Sequence, residues 1–190
     1  MAITLKPLKP ISDEDILKLS DLNPGYQLEL DSEGELIVTP SGGESTFKEG
    51  GLFVQIYQWA EQNGSGRAFP SSAGFRLPDG RLFVPDASWT LKSRLNTLSR
   101  EKLRRFLPLC PDAVFEIRSY SQSKDELQEK MKIYIANGAR IAIFMDPYER
   151  IVELYRPGVE TQVLVNPKNI SLDPELPGFT LNIFKIFEEE

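Results

Sequence analysis

The chain has 190 residues, 41% hydrophobic and 26% charged, with 13 Gly, 14 Pro and a formal net charge of -6, a composition that suits one domain with its own core. No apolar run approaches the roughly 18 residues needed to span a bilayer, and the opening stretch breaks at Pro7 and Pro10 before a signal-type apolar region develops, so the expectation is a cytoplasmic protein with no membrane partner. The single cysteine, Cys110, excludes a disulfide framework, and the absence of histidine removes the usual general base and the common ligand of zinc, copper and haem iron.

Ser12 with Asp15 three residues on predicts a capped helix over 13–20, ended by Asn23-Pro24-Gly25. Alternating segments at 26–31 and 35–39 around Ser32-Glu33-Gly34 predict a hairpin. Residues 1–39 are therefore expected to form an appendage packed on a core domain of residues 40–190. After Pro40-Ser41-Gly42-Gly43, apolar residues at helical spacing from Phe47 to Ala60 predict a helix over 44–62. Residues 67–77 read as a strand, Pro78-Asp79-Gly80 as a turn, and 82–91 as an antiparallel return. A short basic helix over 99–106 and a strand over 112–119 follow, and Trp59 and Trp89 read as core residues.

Ser123 and Glu126 predict a capped helix over 123–137 in which Leu127, Met131, Tyr134 and Ile135 form one apolar stripe. Strands are expected over 140–146, 151–156 and 161–166, and a last apolar turn of helix in 181–187. Charge is unevenly spread: residues 92–141 carry 11 basic and 6 acidic side chains, including Arg104 and Arg105, against a sequence pI of about 4.9. A basic run is either a solvated face or a phosphate-tracking surface, and a neighbouring site decides which.

Two acids interrupt otherwise apolar strands, Asp86 in FVPDASW and Glu116 in AVFEIRS. A carboxylate in such a setting is costly to desolvate unless a donor or cation meets it. If the strands are neighbours, both acids point at one spot, and with no imidazole in the chain a hard cation such as Mg²⁺ or Mn²⁺ is the simplest partner. The structural alternative is that each acid pairs with Arg or caps a turn.

The order helix, three-strand meander, helix, strand, with Pro-Asp on the second strand and Glu-x-Arg on the third, resembles the PD-(D/E)XK nuclease superfamily. More closely, the words PSGGE (40–44), GFRLPDG (74–80), VPDASW (84–89), CPDAVFEIRS (110–119), LQEKM (127–131), YIANGAR (134–140), YRPG (155–158) and LPGF (176–179) resemble the Uma2 family of restriction-endonuclease-like proteins, common in cyanobacteria. The resemblance implies an α+β, restriction-endonuclease-like fold: a central mixed sheet flanked by helices. It implies metal-dependent hydrolysis of DNA, with Asp86 and Glu116 holding Mg²⁺ or Mn²⁺, Lys130 as the catalytic Lys and Glu44 as an assisting acid. Arg118 stands where the superfamily pattern has Lys, and Arg cannot give up its proton. Arg118, Ser119, Arg104 and Arg105 are then candidates for holding phosphate, and a two-fold homodimer would explain two cuts on a duplex. The competing expectation is a nuclease fold without turnover, serving as a nucleic-acid-binding or protein-interaction module. For Lys130 the structural alternative is an ordinary i, i+4 pair with Glu126.

Overall fold

The computed structural model describes residues 2–187. Strand β1 (Ile3–Leu5) leads to helix α1 (Asp13–Leu22), whose Ser12 and Asp15 form the reciprocal cap expected of them. Strands β2 (Tyr26–Leu30) and β3 (Leu36–Pro40) make the hairpin, and α2 (Gly43–Asn63) ends at Gly64, whose φ of 72° suits glycine. Next come β4 (Gly66–Pro70), β5 (Phe75–Arg76), β6 (Leu82–Phe83), β7 (Ala87–Leu91) and the single turn α3 (Lys92–Leu95). Strand β8 (Ala113–Ile117), helix α4 (Lys124–Ala136), β9 (Ile141–Asp146), β10 (Ile151–Tyr155) and β11 (Gln162–Val165) follow. The short pair β12 (Asn169–Ser171) and β13 (Thr180–Asn182) precedes α5 (Phe184–Phe187).

Both long strands expected before residue 91 are divided. Residues 67–77 yield β4 and β5, and residues 82–91 yield β6 and β7, each half in a different sheet. Pro70 and Pro85 stand at the divisions, where a continued ladder would need an amide donor that proline lacks. The chain between them swings away to pair with the hairpin, Leu82 against Leu30. The basic helix expected over 99–106 shrinks to a 3-10 turn at Lys102–Arg104. Beyond that turn the chain is extended, with Leu107 N donating to Gly74 O (2.9 Å) and Arg76 N to Leu107 O (2.8 Å). The final helix is confined to Phe184–Phe187, because residues 180–182 are taken up by the β12–β13 pair.

A six-stranded sheet in the order β11-β10-β9-β8-β7-β4 forms the centre, and only its β8–β9 pair is parallel. Helix α4 makes that crossover, as a parallel connection requires. Leu52, Ile56 and Ala60 of α2 pack with Ala87, Trp89, Ala113, Phe115 and Ile117 on one face. Leu127, Met131 and Tyr134 of α4 pack with Val114, Ala142 and Phe144 on the other. The alternation along β8 thus sends Glu116 to the α4 face. A five-stranded antiparallel sheet, β1-β3-β2-β6-β5, carries the hairpin alongside. The whole is α+β, with a central mixed sheet flanked by helices, as the resemblance implies. No helix among the described residues is long and apolar enough to cross a membrane. Cys110 is buried with its sulfur 3.5 Å from Tyr134 O, and burial pushes the thiol up to about 12.

Candidate active site

Strands β7 and β8 run antiparallel with Ala87 opposite Phe115, and continuing that register by one residue sets Asp86 opposite Glu116. Both carboxyls are nearly closed off from water, and Asp86 Oδ2 accepts from Ile117 N at 2.6 Å. Burial drives the Asp86 carboxyl well above its usual range, and the negative charges of Glu116 and Glu49 push it further. Burial likewise pushes Glu116 up to about 7, against the pull of Lys130. Two acids side by side in a poor dielectric cannot both ionise cheaply.

Lys130 is delivered by α4. It lies three residues after Leu127 and four before Tyr134, next to the buried stripe, and reaches across to the sheet. Its Nζ sits 2.8 Å from Glu116 Oε1 and 2.9 Å from Glu29 Oε1. Burial works to lower the lysine's pKa, but the two carboxylates outweigh it and hold the ammonium more firmly charged than usual. The Glu126 partner of an ordinary helix pair is not used. Tyr134 donates its hydroxyl to the same Glu116 oxygen at 3.1 Å.

Glu29 belongs to the hairpin and is buried. Its Oε1 also accepts Val84 N at 2.6 Å, while Gln27, two residues earlier on the same face of β2, donates Nε2 to Val84 O at 2.8 Å. Both backbone groups of Val84 are therefore captured by one strand, two residues before Asp86. Glu49, on α2, shares a cleft of about 280 Å³ with Asp86, Ser71, Ser119 and Gln122. Burial raises the Glu49 carboxyl too, partly offset by Ser71. The sequence offered no sign of Glu29 beyond an acid amid the apolar residues of YQLEL, nor of Glu49 beyond its place five residues after Glu44.

Asp86, Glu116 and Lys130 are thus brought together, and the remaining candidates lie around them. Glu44 is exposed and pairs with Lys48 at 2.5 Å. Ser119 lines the Asp86 cleft, its N–H held by Gln122 Oε1 at 2.9 Å. Arg118 donates to Asp146 Oδ2 at 2.8 Å and, through Nε, to Gln122 O at 3.1 Å. Arg104 and Arg105 line a neighbouring hollow of about 310 Å³, beyond the wall formed by Phe106, and Arg105 pairs with Glu14 at 3.2 Å.

The donors suit a hard cation in one specific sense. Hydrogen bonds engage Oδ2 of Asp86 and Oε1 of Glu116, so each carboxyl keeps a second oxygen. Burial holds both groups against ionising, and a further positive charge beside them would ease it. No set of three or more acidic or thiol side chains among the described residues forms a ready-made cage. Mg²⁺ commonly binds through one or two carboxylates plus water and substrate phosphate, so two acids are a workable donor set.

The Uma2 family model, described as "Putative restriction endonuclease", matches residues 13–183. The fold is similar to that of a crystal structure described as "a putative nuclease belonging to DUF820" from Anabaena variabilis ATCC 29413, with a TM-score of 0.74 and 24% identity over 94% of this chain and 98% of that chain. A second likeness, to a DrdV–DNA complex, has a TM-score of 0.36 and 18% identity over 57% of this chain and 9% of that chain, and carries no argument. No curated protein matches the chain.

Proposed function

The chain belongs to the Uma2 family, and on that footing we propose that it is an Mg²⁺- or Mn²⁺-dependent endonuclease that hydrolyses phosphodiester bonds in DNA. The observation that carries this reading is the pair Asp86 and Glu116, adjacent in register and buried, with the Lys130 ammonium within hydrogen-bonding distance of Glu116.

A divalent cation bound between the two carboxyls would neutralise charge on the scissile phosphate and acidify a bound water. Lys130, held by Glu29 and Glu116 as a charged ammonium, acts by orienting the attacking water and an anionic phosphate oxygen. Glu29 is a positioning residue that holds Lys130 and, through Val84, the segment ending in Asp86. Of the two α2 acids, Glu49 lines the cleft with Asp86, where it could accept a proton from water, while Glu44 stands at the rim near Ser119 and Arg118. The basic side chains Arg104 and Arg105 track the flanking phosphates. A two-fold pair of chains would offer one site to each strand of a duplex.

Plasmid DNA incubated with Mg²⁺ or Mn²⁺ tests this reading. The wild type is expected to nick and linearise the plasmid, and Asp86→Ala and Glu116→Ala each to lose at least about a hundredfold in rate, the scale of losing one preorganised electrostatic contact. Full activity in either variant overturns the mechanism. One observation favours a nuclease fold without turnover: Arg118, at the expected Lys position, is already spent on Asp146. Calorimetry separates the two readings, since that module would neither bind the cation nor cut.

A further inference from the structure

Beside the carboxylate cleft lies a second hollow of about 270 Å³, and the two share Pro40, Ser41, Ser45, Ile117 and Ser119 as walls. Its outer edge is aromatic. Tyr120, 86% exposed, meets Tyr148 edge to face with ring centroids 6.0 Å apart.

Tyr148 is the anchored member of the pair. Arg118 Cζ lies 5.8 Å and Lys48 Nζ 5.7 Å from the centroid of the Tyr148 ring, within range of cation–π attraction. Tyr148 N donates to Asp146 Oδ1 at 3.0 Å. The turn that presents Tyr120 is closed by Gln122 N to Ser119 O at 3.1 Å and Ser119 N to Gln122 Oε1 at 2.9 Å. Both cations are already paired, Lys48 with Glu44 and Arg118 with Asp146. What this rim offers a ligand is therefore the exposed ring of Tyr120 more than free positive charge, which suits a flat, neutral group better than a phosphate.

We propose that Tyr120, braced edge to face by Tyr148, forms a stacking platform for an unpaired nucleobase of a DNA strand whose backbone passes through the adjoining cleft. The proposal rests on the hydrolytic reading above for the direction of that strand. Ser119 lines the cleft that holds Asp86 and is bonded directly to Tyr120, so a strand with its phosphate in the cleft brings a neighbouring base to the ring. Bases inside a duplex are stacked on each other, and only an unpaired or extruded base has a face to offer. The ligand class is accordingly single-stranded DNA, or a duplex locally opened at the cut.

The test is binding without metal, so that cleavage plays no part. Affinities are measured in EDTA for oligothymidylate, for an abasic oligomer of the same length and for a duplex, using wild type, Tyr120→Leu and Tyr120→Phe. Wild type is expected to prefer the thymidylate to the abasic chain. Tyr120→Leu is expected to bind thymidylate about tenfold more weakly while holding the abasic chain as before, and Tyr120→Phe to keep the wild-type preference. With Tyr120 this exposed, the variants should melt with the wild type. Equal losses for both oligomers, no loss at all, or binding confined to the duplex overturns the platform. Plasmid cleavage by the same wild-type preparation keeps the two readings apart. A protein that cuts but shows no base-dependent affinity loses the platform alone, and one that binds thymidylate through Tyr120 but never cuts loses the hydrolytic reading alone. A protein that neither binds nor cuts loses both.

Discussion

Asp86 is a carboxyl buried beside a second carboxyl, with a backbone amide as its nearest donor. Such a group binds its proton more tightly in the folded chain than in the unfolded one, where its pKa is roughly 3.9. The wild type therefore forfeits stability as pH rises above that value. Asparagine fills the same space, can still accept from Ile117 N and never ionises. Metal-free Asp86→Asn is expected to outlast the wild type in thermal melts at pH 8 by about 1–3 kcal/mol, several degrees for a chain of this length. The gap should close near pH 4. A variant that melts lower at pH 8 would show that the carboxylate is compensated after all. This residue was legible because a charge inside VPDASW interrupts an apolar run, and the same holds for Glu116. Glu29 was not legible. Its partner Lys130 lies 101 residues away, and nothing local in Tyr26–Leu30 shows which face of the hairpin will be covered.

At the scale of elements, the site depends on where β4 stops and β7 starts. Gly66 on β4 underlies the indole of Trp89 on β7, and a Cβ at that position would overlap the ring. Trp89 in turn packs against Trp59 at 5.3 Å between centroids, and Trp59 against Phe179 at 5.3 Å. Gly66→Ala is expected to displace this stack, destabilise the protein by about 1–3 kcal/mol and shift the tryptophan emission. An unchanged melting temperature and spectrum would show that the indole has room to move. The long helices were readable in the sequence because caps and apolar spacing are local properties. The strand divisions at Pro70 and Pro85 were not, because two alternating runs joined by a turn look like one simple hairpin. The prolines allow the break, but where the freed halves go is set by the β2–β3 hairpin claiming β6, a pairing between sequence positions some 50 residues apart.

For the molecule as a whole, the chain between β4 and β7 leaves the six-stranded sheet, joins the five-stranded one and returns immediately before Asp86. The site is consequently assembled from both sheets, with Asp86 and Glu116 from one and Glu29 from the other. Part of the basic segment is neutralised locally, Arg94 by Asp112 at 3.1 Å and Arg105 by Glu14 of α1, so the net charge of -6 is not simply segregated away from it. A charge tally along the sequence could not show this, because it does not say which acids meet which arginines, and Glu14 answers Arg105 from 91 residues away.

Cys110 lies behind α4, against the backbone of Tyr134, one helical turn from the lysine of the site. Its thiol is closed off and stays protonated at ordinary pH. In the native protein at pH 8 a thiol-specific reagent should consume it at least about a thousandfold more slowly than in denaturant, the margin set by rare openings of a stable core. Rapid reaction in the native state would mean that this helix is loosely seated. The chain thus carries one built-in stopwatch: the labelling rate counts openings of the core around Cys110, and an opening that lifts α4 also withdraws Lys130 from its two carboxylates.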